Sequence, residues 1–418
     1  MSVLLSVALL LTGHGLQFTL LPLQAHALGW SSDLIGITGA AYYLGFVLGC
    51  VFIPRIIRNV GHIRTFTVLI SVACISVVIA ESLPHWGVWC VVRFASGCAM
   101  AGIYTIVESW LNERVARQTR GAILGVYTTV SLAAMAAGQL LVGWSTLPFG
   151  ILFSLAIVFI VVATIPIGLT TQAPPTPPQD VHFHWHTVYQ ASQVGVVCAA
   201  LSGVVVGLTW SMGAVYAVKT IGSVEAGSNF VLFSLLGGFM AQLPAGRLSD
   251  YLDRRFVILV LAALGCVGVA VALANTTDSA TAIYSAAFLC GAAAMPLYSI
   301  CVAHANDNEH GNFLEIASGM LVANALGAII GPIAYAILGR FTSAAYMLVV
   351  GAAFAACLLW TLYRVLVHRV DRSYYEPYQP LPKTTTNAIP LDPRVDPNDL
   401  LEHTGVAIDP DLSDTTTG

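Results

Sequence analysis

Residues 246–256 read GRLSDYLDRRF, five charges in eleven positions of a chain that is otherwise strongly apolar. The stretch follows a run of about 20 uncharged residues, enough to cross a ~30 Å hydrocarbon core. A related stretch, PRIIRNVGHIR at 54–64, follows an earlier run of the same kind, 192 residues upstream. Two further pairs keep nearly the same spacing. Ala134-x-x-x-Gly138-Gln139 aligns with Gly327-x-x-x-Gly331-Pro332 at an offset of 193, and Asn112-Glu113 aligns with Asn308-Glu309 at 196. Three matches in one order predict two parallel repeats of six spans each, the architecture of one large class of secondary transporters.

The rest of the chain supports that division. Of 418 residues, 57% are hydrophobic and only 9% charged, with a mean hydropathy of +0.80. Soluble domains carry about 25% charged residues, so this composition is that of an integral membrane protein. Spans are expected near 3–25, 33–53, 65–83, 87–110, 120–143, 149–170, 193–216, 227–249, 256–275, 281–303, 315–338 and 344–367. The class is therefore an all-α membrane protein of twelve helices in two pseudo-symmetric six-helix bundles. The halves are 1–170 and 193–367, with a linker at 171–192 that opens with four prolines and a polar, Pro-rich tail at 368–418. The tail's composition predicts disorder.

Basic residues set the orientation. Arg55, Arg58, Arg64, Arg114, Arg117, Arg120, Arg247, Arg254, Arg255 and Arg364 share one set of connectors, while the opposite set holds Lys219 and Arg340. The positive-inside rule places the first set, and both termini, in the cytoplasm. No basic residue precedes Arg55, which argues against a cleaved signal peptide and makes the N-terminus the first span. A net charge of −4 gives no reason to expect a nucleic-acid partner. The nine cysteines form no CxxC pair and read as free thiols packed in helices. The alternating histidines of HFHWH (182–186) suit an interfacial segment or adventitious metal better than a built metal site. No metal or cofactor is expected.

The motifs resemble the major facilitator superfamily. GRLSDYLDRR is similar to that family's loop between the second and third spans of a half, with Gly246, Asp250, Arg254 and Arg255 in the matching places. Arg93 with Gly97 resembles its fourth-span motif, and Gly327-AII-Gly331-Pro332 its fifth-span motif. VESWLNERVARQTRG, PLYSICVAHANDN and GAIIGP together resemble the bacterial YcaD-like branch. The resemblance covers roughly residues 1–367 and implies a monomeric transporter of the bacterial cytoplasmic membrane. It departs from the family at 54–64, where Pro54 and Arg58 replace Gly and Asp.

In that architecture Asp250, Arg254 and Arg255 would form a gating loop against the start of span 5, with Arg120 among the facing cations; a solvated loop that only sets topology is the alternative. Arg58 could form an inverted latch with Glu309, or serve simply as a positive-inside charge. Arg93 is the one Lys or Arg placed inside a span, where a lone charge costs ~2.5–3.5 kcal/mol on insertion scales. It reads either as a contact for an anionic or polar substrate or as a structural donor to neighbouring carbonyls. Glu108 and its repeat partner His304 could exchange protons, although Glu108 could equally anchor the following connector. His14, Gln17, Tyr104, Trp210, Tyr216, Tyr298 and Asn324 complete the expected substrate cavity, each with ordinary interhelical packing as its alternative.

The expected function is secondary transport of a small organic solute by alternating access, coupled to protons. An uncoupled facilitator, a drug-type exporter and a receptor built on a transporter fold remain open. No HExxH or GxSxG motif points to an enzyme.

Overall fold

The computed structural model describes residues 2–112, 120–144, 146–169, 184–275, 279–307 and 313–367. Among them are twelve helices long and apolar enough to cross a membrane. They are α1 Ser2–Ala27, α2 Ser32–Val60, α3 His62–Ser82, α4 Trp86–Asn112, α5 Arg120–Trp144 and α6 Phe149–Gly168 in the first half. The second half holds α7 Gln193–Ile221, α8 Val224–Tyr251, α9 Arg254–Leu273, α10 Ala280–Asn306, α11 Phe313–Leu338 and α12 Ala345–Val367.

The helices overrun the expected spans, most clearly at residues 54–64. That stretch is a continuation of α2 through Pro54 to Val60 rather than a connector. Gly61 alone makes the turn into α3, at a φ of +92° that other residues adopt only with strain. The linker also has structure: Trp185–Ala191 forms a short helix whose Val188 is buried against α11. Residues 171–183 and the tail from 368 lie outside the described residues, so the disorder expected of the tail cannot be compared with structure.

Packing repeats across the halves. In the first, α1 packs on α5 and α6, α2 on α4, and α3 on α4 and α6; in the second, α7 packs on α11 and α12, α8 on α10, and α9 on α10 and α12. The halves meet along α2 against α11 and α5 against α8. Glycines set the closest crossings. Gly45 lies against the Phe94 carbonyl and Gly97 against the Tyr42 carbonyl, so α2 and α4 touch backbone to backbone. The same lock recurs at offsets of 192 and 194, where Gly237 meets Phe288 and Gly291 meets Ser234. Without a hydrophobic drive between helices in lipid, such close approach by small residues is what holds them together.

The repeat is imperfect at one place. Helix α7 packs along α10, while α1 and α4 meet at few points. Ser202 reinforces the first pairing by donating to the Ala294 carbonyl at 2.8 Å. In the first half, His14 of α1 and Arg93 of α4 both meet Tyr42 of α2.

Candidate functional site

A cavity of about 250 Å³ lies between the halves, lined by residues of α1, α2, α4, α5, α7, α8, α10 and α11. Its wall is mostly apolar, and six aromatic side chains belong to it: Phe18, Tyr42, Tyr43, Phe46, Tyr104 and Trp210. His14, Thr128, Ser131, Gln242 and Asn324 supply polar atoms. Trp210 reaches the cavity from a π-helical turn, Thr209–Gly213, that interrupts α7. Such turns are rare and concentrate at functional sites.

Four of the expected cavity residues, His14, Tyr104, Trp210 and Asn324, line the space. Arg93 lies just behind its wall, 4% exposed, with the guanidinium carbon 4.6 Å from the Tyr42 ring centroid and 5.1 Å from that of Phe18. Stacking of this kind is worth ~0.5–2 kcal/mol, more when desolvated. The Gly45 and Gly97 crossing brings Tyr42 against Arg93 by letting α2 and α4 close up. A nitrogen of His14 shares a hydrogen bond of 3.1 Å with the Tyr42 hydroxyl, and the His14 ring packs edge-on to Phe18 at 4.6 Å. Phe18 in turn faces Trp210 at 5.6 Å, joining the two halves across the cavity.

Three expected residues do not line the cavity. Gln17 is buried on α1 outside it. Tyr216 stacks on Tyr346 at 4.5 Å, in a cluster with Phe230. Tyr298 is buried within the second half. Their helices are those expected, but a face shared with cavity residues does not fix the depth or the direction of a side chain. The aromatic wall of α2 was not anticipated, because Tyr42, Tyr43 and Phe46 read as ordinary apolar filling. Their clustering opposite Arg93 was the signal available.

The charged motifs at the basic end make the following contacts. Arg254 forms a paired contact with Asp307, Nε to Oδ2 at 2.5 Å and Nη2 to Oδ1 at 3.0 Å, with side chains 0% and 3% exposed. Arg255 pairs with Asp253 at 2.8 Å. Both of these pairs lie within the second half. Asp253 also caps α9 by accepting from the Arg255 amide. Burial alone would raise the Asp253 carboxyl, but hydrogen bonds and charge from Arg255 outweigh it and hold the group below the ordinary carboxylate range. Asp250 and Arg58 are exposed in the last turns of their helices. Glu309 lies outside the described residues, as does the side chain of Arg120, so the latches expected of them have no structural counterpart to report.

Glu108 is fully buried near the basic end of α4, within 3.4 Å of the Tyr127 hydroxyl that donates to it. His304 is buried at the corresponding end of α10. In the HFHWH segment, His184 contacts Glu315 at 3.1 Å and His186 contacts Gln190 at 3.3 Å. No cluster of metal ligands occurs among the described residues.

The opposite end is closed across the halves. Arg340 binds Asp33 at 2.9 Å, Lys219 donates to Ser32 at 2.6 Å, and the Tyr335 hydroxyl lies 3.4 Å from Ser32. The two cations of that end thus converge on the first turn of α2. Close packing of Gly36 on the Pro332 carbonyl and of Gly143 on Ser228 continues the seal. The cavity sits between this closure and the basic end.

Comparison with known proteins agrees with this geometry. The family model described as Major Facilitator Superfamily matches residues 3–195 and 194–389, once for each half. The chain is 26% identical over 328 residues to the "Uncharacterized MFS-type transporter YcaD" of Salmonella typhi, covering 75% of this chain and 82% of that protein. Among solved structures, the nucleoside transporter NupG superposes with a TM-score of 0.69 at 13% identity, covering 89% of this chain and 100% of that one. A bacterial homologue of the lysosomal transporter Spinster, inward-facing and occupied, gives 0.64 at 16% identity, covering 87% and 94%. The E. coli fucose:proton symporter FucP gives 0.52 at 15% identity, covering 87% and 97%.

Proposed function

This chain belongs to the major facilitator superfamily, in its YcaD-like branch, and we propose that it carries a small organic solute across the membrane by alternating access, coupled to protons. The observation that carries the reading is the central cavity, walled by both halves and sealed at one end by contacts between them. Rocking the halves about that cavity would expose it to either side in turn. The positive-inside rule makes the basic end cytoplasmic and both termini internal, in a bacterial inner membrane. The sealed end is then the outer one, and the cavity is closed to the periplasm.

Proton coupling rests on Glu108 and His304. They are buried titratable groups at matched positions of the two repeats, 196 residues apart, near the basic end. A carboxylate in such a place is uncharged or charged according to its partners, and the partners change as the halves move. The fucose symporter among the structural neighbours is named as proton-coupled, which agrees with this reading without establishing it. The test is reconstitution into vesicles with an imposed pH gradient, using solutes selected by thermal stabilisation of the purified protein. Accumulation that follows the gradient in the parent and is independent of it in Glu108→Gln supports the reading. The same pH dependence in both would dispose of Glu108 as the coupling group, and no accumulation of any stabilising solute would dispose of transport.

A further inference from the structure

Arg93 is a buried cation with no anion paired to it among the described residues. Among the described residues no carboxylate lies within ion-pair distance of it, and its Nη1 atom has no hydrogen-bond partner. The nearest carboxylate along its helix is Glu108, fifteen residues on and about 22 Å away at 1.5 Å per residue. The two aromatic rings that stack on the guanidinium offset part of its desolvation, but they supply no acceptor for its N–H groups. The neighbouring His14 also has a buried nitrogen, Nδ1, with no partner. Both residues contact the rings of Phe18 and Tyr42, so the two unsatisfied atoms belong to one cluster at the edge of the cavity.

The packing of the fold does not require them. The repeat supplies an internal comparison, because the offsets of 192 to 194 that relate the glycine locks also relate these positions. His14, Tyr42 and Arg93 correspond to Val206, Ser234 and Ala287; on the first helix of each half the offset is 192, since Gly15 packs on Met135 as Gly207 packs on Ala328. The second half builds the same α8 and α10 crossing with small residues and closes α7 onto α10. The first half keeps a cation, an imidazole and a phenol in the same place and leaves α1 apart from α4. Helix association accounts for one arrangement and not for the other.

Phe18 and Tyr42 belong to both sites: they stack on Arg93 and they line the cavity. The guanidinium stands one ring behind the wall, with the His14 and Tyr42 pair at the edge. We infer that the cavity takes an organic anion with a flat apolar body, its carboxylate seated on Arg93 and His14 at the Tyr42 edge and its body held among Phe46, Tyr104 and Trp210. This assignment names the solute class of the transport reading and rests on that reading. A carboxylate supplies what the site lacks: the missing countercharge, an acceptor for the Arg93 Nη1 hydrogens and, with Tyr42 donating to Nε2, an acceptor for the His14 Nδ1–H. Arginine presents them in a planar fork that fits a carboxylate. The aromatic side chains suit a ring better than a polyol, since they offer faces and few hydrogen-bonding groups.

Thermal unfolding of the purified full-length chain tests the assignment with defined probes. Benzoate and 2-naphthoate are compared with benzamide and 2-naphthamide, which keep shape and lose charge, and with chloride at equal concentration. The carboxylates should stabilise the protein and bind about tenfold or more tighter than the amides, the ratio expected of a charge-assisted hydrogen bond. Arg93→Gln should abolish that preference and leave the weak amide binding. Should that variant fail to fold, Arg93→Lys retains the charge, and the comparison of carboxylate with amide in the parent protein decides by itself. Equal effects of amide and carboxylate, an equal effect of chloride, or no stabilisation by either carboxylate would overturn the assignment. If a neutral solute nevertheless accumulates in vesicles, transport stands and the anion site falls.

Discussion

Replacing Asp307 with asparagine should remove more stability than any single charge substitution at the exposed positions of the basic end. The Arg254 and Asp307 side chains are 0% and 3% exposed and joined by two hydrogen bonds. Such a pair gains little over an apolar replacement, because both ions lose their hydration. Breaking it is a different matter, since the buried Arg254 would lose the carboxylate that accepts both of these hydrogen bonds. The expected cost is ~3–5 kcal/mol for Asp307→Asn. The double change Arg254→Met with Asp307→Leu removes both charges and keeps much of the volume, so it should lie much closer to the parent. The assay is thermal unfolding in one detergent, run on the parent, both single variants and the double variant. A gating latch would behave otherwise, because its loss redistributes conformations and need not lower stability. Asp307→Asn as stable as the parent, or no recovery in the double variant, would refute the argument that this pair is an anchor within the second half.

Two further outcomes follow from the contacts between helices. Arg340 and Asp33 are 64% and 23% exposed, so a double-mutant cycle should assign them no more than ~1 kcal/mol. That is still up to about fivefold in the balance of closed and open states, read as faster labelling of a cysteine introduced into the cavity when either residue is neutralised. Unchanged labelling in both single variants would show that the pair does not hold that end shut. Gly97→Ala places a methyl group against the Tyr42 carbonyl, backbone against backbone, and should cost ~1–3 kcal/mol as the helices are forced apart. A variant as stable as the parent would mean that α2 and α4 have room the structure does not show.

The fold was legible because its signals are repeated and averaged over many residues. Twelve apolar runs and a near-constant offset survive local irregularity, and the halves follow from them. The sites were legible only by helix. Arg93, His14 and Glu108 stood out as polar groups in apolar spans, and burial of all three agrees with that reasoning. Their partners were hidden, since Tyr42 and Phe18 belong to other helices and look like filling until the Gly45 and Gly97 crossing brings them to Arg93. Charges near helix ends were legible as motifs but not as pairs: the partner of Arg254 is Asp307 on another helix, and Lys219 and Arg340, which served only to set orientation, bridge the halves.

The difference between the two repeats is the more useful guide to function. Symmetry explains every feature that both halves share, including the glycine locks and the pairing of their helices. It leaves unexplained what one half has and the other lacks: His14, Tyr42 and Arg93 against Val206, Ser234 and Ala287. A duplicated bundle that folds with small or uncharged residues in one copy can fold with them in the other. The buried cation is therefore kept at a cost that packing does not require, and it lies behind the wall of the space where both halves meet. An alternating-access cycle can offset that cost in its loaded state, when the solute carries the opposite charge into the cavity.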